Sequence, residues 1–154
     1  MRNHRLRGIG IVSAIFLAVA LVRPTAAYVS YDWYEDASGF AEAAARAKAL
    51  RAPMLVYFRT DWCPYCRAFD QLLADGAVRT RLGSYVKVRI NPEHGEAERE
   101  LFQQTFGARG FPAVYLKASA DAPPARLSTK GPAEHFLEQL TPERSEQENP
   151  SRAS

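Results

Sequence analysis

One stretch of this sequence decides its fold, because it runs from a buried strand into a helix across two cysteines: Met54-Leu55-Val56-Tyr57-Phe58-Arg59-Thr60-Asp61-Trp62-Cys63-Pro64-Tyr65-Cys66. Its first five residues are all apolar, which is typical of a strand buried on both faces of a sheet. A helical pattern follows through Phe69, Leu72 and Leu73. We therefore expect the cysteine pair to lie where a central strand ends and a helix begins.

Helix and strand patterns alternate on both sides of this stretch. A helix is predicted from a cap at Asp36 or Ser38 to about Leu50. In a second strand over 85–90, Lys87 and Arg89 alternate with apolar residues, which indicates one less buried face. The further predicted elements are a helix over about 96–106, a strand over 113–117, a short strand over 126–128 and a helix from Gly131-Pro132 to about Leu140. Such alternation indicates an α/β fold, with a central mixed sheet of about four strands flanked by helices.

The first 27 residues have the three parts of a secretory signal peptide. Three arginines lie within residues 2–7, the apolar run covers 8–22, and Thr25-Ala26-Ala27 supplies small residues for cleavage. The apolar run is shorter than the roughly 20 residues that a membrane-spanning helix needs. We therefore predict a signal peptide over 1–27, with an uncleaved N-terminal anchor as the alternative, and export to the periplasm.

The rest of the chain is nearly neutral. The full sequence has a net charge of +3, but residues 1–27 contain four arginines and no acidic residue. The remainder has 16 basic and 17 acidic residues, a net charge of −1, which leaves no electrostatic case for nucleic-acid binding. We expect one domain over 28–140 and a polar, disordered tail over 141–154.

Cys63 and Cys66 are the only cysteines in the sequence. Structural disulfides of exported proteins usually join well-separated cysteines, and a bridge between residues three apart restrains the unfolded chain little. A reactive pair therefore explains the spacing better than a structural bridge.

The position of Cys63 at a helix start suits thiol chemistry. Only a thiolate exchanges disulfides, and a free cysteine with a pKa near 8.5 is mostly protonated at neutral pH. The helix dipole and unpaired N–H groups favour negative charge at Cys63, while Pro64 suits the first helical position. We expect the pKa of Cys63 to fall within roughly 3.5–7.5. Cys66, about one turn later, should be more buried and should attack the mixed disulfide.

A metal site is the main alternative. Zinc usually requires four ligands, and the only histidines after residue 27 are His94 and His135, both in polar segments. Residue 67 is Arg, so the haem-attachment pattern is absent. We predict no metal and no cofactor beyond the redox-active disulfide. A copper chaperone and a thiol-based binding module remain alternatives.

Three motifs give the chain a resemblance to the thioredoxin superfamily over about residues 36–140. They are Trp62-Cys63-Pro64-Tyr65-Cys66 after a buried strand, Gly107-Ala108-Arg109-Gly110-Phe111-Pro112 before another strand, and Lys130-Gly131-Pro132-Ala133-Glu134-His135-Phe136-Leu137. The resemblance implies a cis peptide bond before Pro112. It also implies that Gly110, Phe111 and Pro112 bind the substrate backbone like an added strand. The alternative is a proline that merely opens a strand.

The resemblance also bears on how the resolving thiol loses its proton. Asp70 corresponds to a carboxylate in similar domains, including the C-terminal domain of the electron-transfer protein DsbD, and is a candidate for moving protons to and from Cys66. A solvated helix residue is the alternative. Thioredoxins typically carry a buried acid six residues before the first cysteine, where this chain has Tyr57. Tyr57, Asp70 or water would therefore have to accept the proton.

Neighbouring side chains are expected to support the pair. Trp62 should shield it and contact substrates, Tyr65 should be exposed at the rim, and Arg59 and Arg67 should flank the site.

The surrounding sequence narrows the redox role. Many glutaredoxins use the same Cys-Pro-Tyr-Cys spelling, but the glycine pair expected after the proline-containing strand is missing. An oxidase like DsbA carries a large helical insertion, for which the residues between Ile90 and Pro112 are too few. We predict a monomeric reductase or interchange enzyme with protein disulfide substrates and a membrane electron donor of the DsbD type.

Overall fold

The structure, a computed structural model, describes residues 30–140; the predicted signal peptide and tail lie outside these residues. One mixed sheet runs through it in the order β1-β3-β2-β4-β5. Its strands are β1 (Tyr34–Glu35), β2 (Met54–Phe58), β3 (Val86–Ile90), β4 (Ala113–Lys117) and β5 (Ala125–Leu127). Strand β3 is parallel to β1 and β2, whereas β4 is antiparallel to β2 and β5. The predicted α/β class is confirmed. The fifth strand is β1, whose two residues are too few to show any periodicity in the sequence.

Helices cover both faces of this sheet. They are α1 (Asp36–Leu50), α2 (Pro64–Leu73), α3 (Gly76–Leu82), α4 (Glu96–Glu100) and α5 (Ala133–Gln139). A π-helical turn, Leu101–Thr105, continues α4. Among the described residues, no helix has the length and apolarity needed to cross a membrane.

Strand β2 is buried at every position and divides the core into two clusters. Met54, Val56 and Phe58 belong to the cluster that contains α1 and the π-helical turn. Leu55 and Tyr57 belong to the cluster that contains α2, α3 and α5. Because side chains alternate along a strand, one uninterrupted apolar run supplies both clusters.

The prediction that Lys87 lies on a less buried face is wrong. Lys87 is 3% exposed, and its Nζ donates to the carbonyl oxygens of Leu82 and Tyr85 at 3.2 Å each and to that of Ser30. Burial lowers the pKa of Lys87 to about 8. The ammonium group is retained inside because the end of α3 and the chain before β1 supply carbonyl acceptors. Arg89 is only partly buried.

The predicted cap of α1 is also wrong. Asp36 is the first helical residue, and its carboxylate accepts from the Asn91 N–H at 3.1 Å and contacts His94 Nδ1 at 2.8 Å. The first turn of α1 is instead capped by Glu98 of α4, whose Oε1 accepts from the Ala37 N–H at 3.1 Å. A capping rule based on neighbouring residues cannot identify a carboxylate that lies 61 residues away.

Candidate redox site at the start of α2

Cys63 and Cys66 form a disulfide at the N-terminus of α2. Cys63 is the residue that caps the helix, and Pro64 occupies its first turn. The Cys63 Sγ accepts from the backbone N–H of Cys66 at 3.1 Å. Cys63 is 2% exposed and Cys66 is 0% exposed. An unpaired N–H of the helix terminus is thus directed at the first sulfur, an arrangement that stabilises negative charge on that atom.

The loop before β4 lies at the same end of the sheet as this disulfide. The first residue of β4, Ala113, pairs with Phe58, the last residue of β2. The Phe111–Pro112 peptide bond is cis, as the resemblance implied, and Gly110 has a φ of 74°. Such a positive φ is a conformation that glycine adopts without strain.

Aromatic side chains connect this loop to the cysteine pair. The Phe111 ring stacks on Phe102 with centroids 4.9 Å apart and meets the edge of Trp62 at 6.3 Å. Trp62 and Tyr65 are 61% and 74% exposed. The site therefore presents two aromatic surfaces to solvent beside the disulfide, and the exposure predicted for Tyr65 is confirmed.

Sequence reasoning missed Glu93, which fixes the orientation of Trp62. The indole Nε1 donates to the two carboxylate oxygens of Glu93 at 3.0 and 3.1 Å. Glu93 follows β3, and Trp62 follows the neighbouring parallel strand β2. Because parallel strands end at the same edge of a sheet, their topology would have brought these two loops together.

Beneath the cysteine pair, Tyr57 and Asp70 lie close to each other. The buried Tyr57 hydroxyl donates to the Cys66 carbonyl oxygen at 3.2 Å. Asp70 lies one turn beyond Cys66 on α2, and its Oδ2 contacts Arg59 Nη1 at 3.3 Å. Burial, followed by the nearby Asp70 carboxylate, raises the pKa of Tyr57 well above its ordinary value. Tyr57 consequently keeps its proton throughout the neutral range.

The arginines that were expected to flank the site differ in their surroundings. Arg59 is largely buried and joins Asp70, with Asp61 at 3.9 Å on the other side. Arg67 is exposed on α2. Of these two arginines, only Arg59 forms ion pairs with acidic neighbours within the described residues.

The described residues contain no group of three or more His, Cys, Asp and Glu side chains that could hold a metal ion. His94 and His135 are both exposed. The hydrogen bond to Asp36 raises the pKa of His94. His94 therefore pairs with Asp36 at the surface of the protein.

Comparisons with known proteins agree with this geometry. A family model described as thioredoxin-like matches residues 32–117. The thiol:disulfide interchange protein DsbD of Ralstonia nicotianae is 27% identical over 131 residues, which are 84% of this chain and 22% of that protein. This chain thus spans about a fifth of the length of that relative.

Solved structures are similar to this chain over about two thirds to three quarters of its length. A thioredoxin from Thermus thermophilus has a TM-score of 0.59 and 27% identity, over 77% of this chain and 88% of that one. The reduced C-terminal domain of DsbD from Neisseria meningitidis has a TM-score of 0.57 and 21% identity, over 68% of this chain and 94% of that one. At this identity, the likeness to the DsbD domain shows only that the two chains share a fold. The predicted thioredoxin-like fold is confirmed.

Proposed function

Since this chain belongs to the thioredoxin-like family, we propose that it is an exported thiol–disulfide oxidoreductase that reduces or exchanges protein disulfides through Cys63 and Cys66. One observation carries the proposal: the two cysteines form a disulfide at a helix N-terminus, with an N–H group directed at the Cys63 sulfur. This environment favours a thiolate in the reduced state.

The proposed cycle consists of two exchanges. The Cys63 thiolate attacks one sulfur of a substrate disulfide, forms a mixed disulfide and releases the other substrate sulfur as a thiolate. The Cys66 thiolate then attacks the Cys63 sulfur, so that the Cys63–Cys66 disulfide forms and the second substrate sulfur leaves. Two electrons pass to the substrate, and an external dithiol returns them to the protein.

We assign proton transfer at Cys66 to Asp70. Cys66 must lose its proton before it attacks, and Tyr57 is a poor acceptor because its raised pKa keeps it neutral. Asp70 lies on the same face of α2 one turn later and is partly exposed, so a water molecule can connect it to solvent. The role of Tyr57 is then to hold the Cys66 backbone through its hydrogen bond to that carbonyl oxygen.

The substrate chain is proposed to bind along the loop formed by Gly110, Phe111 and Pro112. This loop lies at the same end of the sheet as the disulfide, and Trp62 and Tyr65 provide exposed aromatic surface on either side of Cys63. An extended segment could pair there with the backbone, as in strand addition.

The remaining parts of the proposal concern the location and the electron donor. Residues 1–27 have the pattern of an export signal, which supports the periplasm. The similarity to a protein named as a thiol:disulfide interchange protein supports a membrane donor of the DsbD type. We further propose that the chain acts as a monomer.

The test is reduction of a protein disulfide by the purified chain with dithiothreitol as the electron source. We expect turnover for the wild type and none for Cys63→Ser. The matched control is Gln71→Ser, which changes an exposed side chain of the same helix that has no role in the proposed site. Cys66→Ala, first reduced and then freed of dithiothreitol, should accumulate a mixed disulfide between Cys63 and the substrate, detectable by mass spectrometry. Full activity of a variant that lacks both cysteines would contradict the proposal.

A further inference from the structure

A groove beside the disulfide has cationic walls and an apolar floor. It encloses about 690 Å³ between α2, the loop before β4 and the segment from β5 to α5. Its charged lining residues are Arg109, Arg126 and Lys130, and its floor includes Phe69 and Leu127. None of the described residues that line it is acidic. The volume lies within the range typical of ligand sites.

The three cations have no acidic partner in the part of the chain that the structure describes. None of the ion pairs there includes Arg109, Arg126 or Lys130, and all three side chains are exposed. The Arg126 guanidinium lies 5.9 Å from the centroid of the Tyr115 ring and donates to the Arg109 carbonyl oxygen at 3.5 Å. All three cations are therefore free to pair with an acidic ligand, and Arg126 is also held in position by its contacts with Tyr115 and Arg109.

We propose that this groove selects substrates whose disulfide is flanked by acidic residues. The inference rests on the proposed function and names the class of protein segment that the site receives. Arg109 directly precedes the loop Gly110–Pro112, so an extended segment bound along that loop would bring its flanking side chains to the cations. Acidic side chains would pair with these cations without displacing an existing ion pair.

The charge of the whole chain does not explain this patch. Residues 28–154 have 16 basic and 17 acidic residues. The presence of three basic residues and no acidic residue in the lining of one groove is therefore a local feature. A single exposed ion pair changes affinity by only about 1.5- to 5-fold. Three acting together also accelerate encounter with an acidic partner at low salt.

The test compares three versions of one disulfide-closed peptide, with Glu, Gln or Lys at the positions that flank its cysteines. Dithiothreitol serves as the electron source, and kcat/KM is measured for each peptide. At low salt we expect the Glu peptide to exceed the Gln peptide by about 10-fold, mainly through KM, and the Lys peptide to be poorest. In about 0.5 M salt the differences should shrink to about 2-fold or less.

Substitutions in the groove test whether it causes the preference for the Glu peptide. Arg109→Gln/Arg126→Gln/Lys130→Gln should reduce all three peptides at similar kcat/KM. The matched control is Arg81→Gln/Arg99→Gln/Lys117→Gln, which removes the same charge from α3, α4 and the far end of β4. This control should keep the preference for the Glu peptide.

Three other outcomes would overturn the inference. Equal kcat/KM for all three peptides with the wild type would contradict it and leave the proposed function intact. A failure to reduce any peptide would contradict both. If glutathione disulfide matches the Glu peptide and is equally sensitive to the triple variant, the groove accepts a small acidic disulfide instead of a protein segment.

Discussion

Tyr57 and Asp70 have different parts in the proposed exchange, although both lie beneath the cysteine pair. The raised pKa of Tyr57 leaves its hydroxyl as a donor to the Cys66 carbonyl oxygen. The Asp70 carboxylate, which is paired with Arg59, is the proposed proton acceptor. The two residues should therefore respond differently to substitution.

Asp70→Asn should slow the resolution of the mixed disulfide by about 10- to 100-fold, because it removes the proposed proton acceptor. Tyr57→Phe should change this rate by less than about 3-fold, since it removes one hydrogen bond worth about 0.5–1.5 kcal/mol of stability. The measurement is stopped-flow release of substrate thiol from a preformed mixed disulfide. A larger loss for Tyr57→Phe than for Asp70→Asn would reverse the assignment.

Because of Lys87, the free energy of unfolding should change with pH in the alkaline range. Its pKa is about 8 in the folded chain, below the ordinary value of 10.5. Between these pH values the unfolded chain binds more protons than the folded chain, so the free energy of unfolding rises with pH. We expect a rise of about 1–2 kcal/mol from this residue, allowing for partial solvent screening.

The measurement for Lys87 is urea unfolding of the wild type and Lys87→Met at pH 7, 8, 9 and 10. The free energy of unfolding of the wild type should rise relative to that of the variant above pH 8. Curves that stay parallel across this range would show that burial does not lower the pKa of Lys87.

At the scale of the single element, α3 illustrates how a local cap sets a helix start. The Asp75 carboxylate Oδ1 accepts from the N–H groups of Ala77 and Val78 at 2.9 and 3.1 Å. Asp75→Ala should lower the free energy of unfolding by about 1 kcal/mol. Asp75→Asn retains an acceptor oxygen and should cost less. Equal losses for the two variants in urea unfolding would contradict this account of the helix start.

The elements that could be predicted are those whose sequence signals lie within a few residues of the element itself. Met54–Phe58 predicted β2 because an uninterrupted apolar run needs burial on both faces. The cap of α1 by Glu98 was not predictable, since it depends on the position of α4 in the fold. Lys87 was misassigned because alternation with apolar residues does not reveal carbonyl acceptors from other segments.

The same distinction applies to the candidate site. Spacing alone placed Cys63 at the start of α2, since Pro64 favours the first helical turn. The bond between Trp62 and Glu93 and the pairing of Arg59 with Asp70 depend on side-chain orientation in the folded chain. The sequence was therefore enough to place the cysteine pair at the start of a helix, whereas the contacts around the pair could be identified only from the structure.

For the whole molecule, the sheet separates two clusters that should contribute independently to stability. Phe106 belongs to the cluster with α1, and Phe136 belongs to the cluster with the disulfide. Phe106→Leu and Phe136→Leu should each lower the free energy of unfolding by about 1–2 kcal/mol. In the double variant the losses should add to within about 0.5 kcal/mol, because the sheet lies between the two sites. A coupling above about 1 kcal/mol in urea unfolding would contradict this independence.

The most direct test of the whole account is the pKa of the Cys63 thiol in Cys66→Ala, measured from the rate of iodoacetamide alkylation across a pH series. The account predicts a midpoint well below 8.5, the ordinary value of a free cysteine, because a helix N-terminus favours the thiolate. A midpoint at or above 8.5 would contradict it.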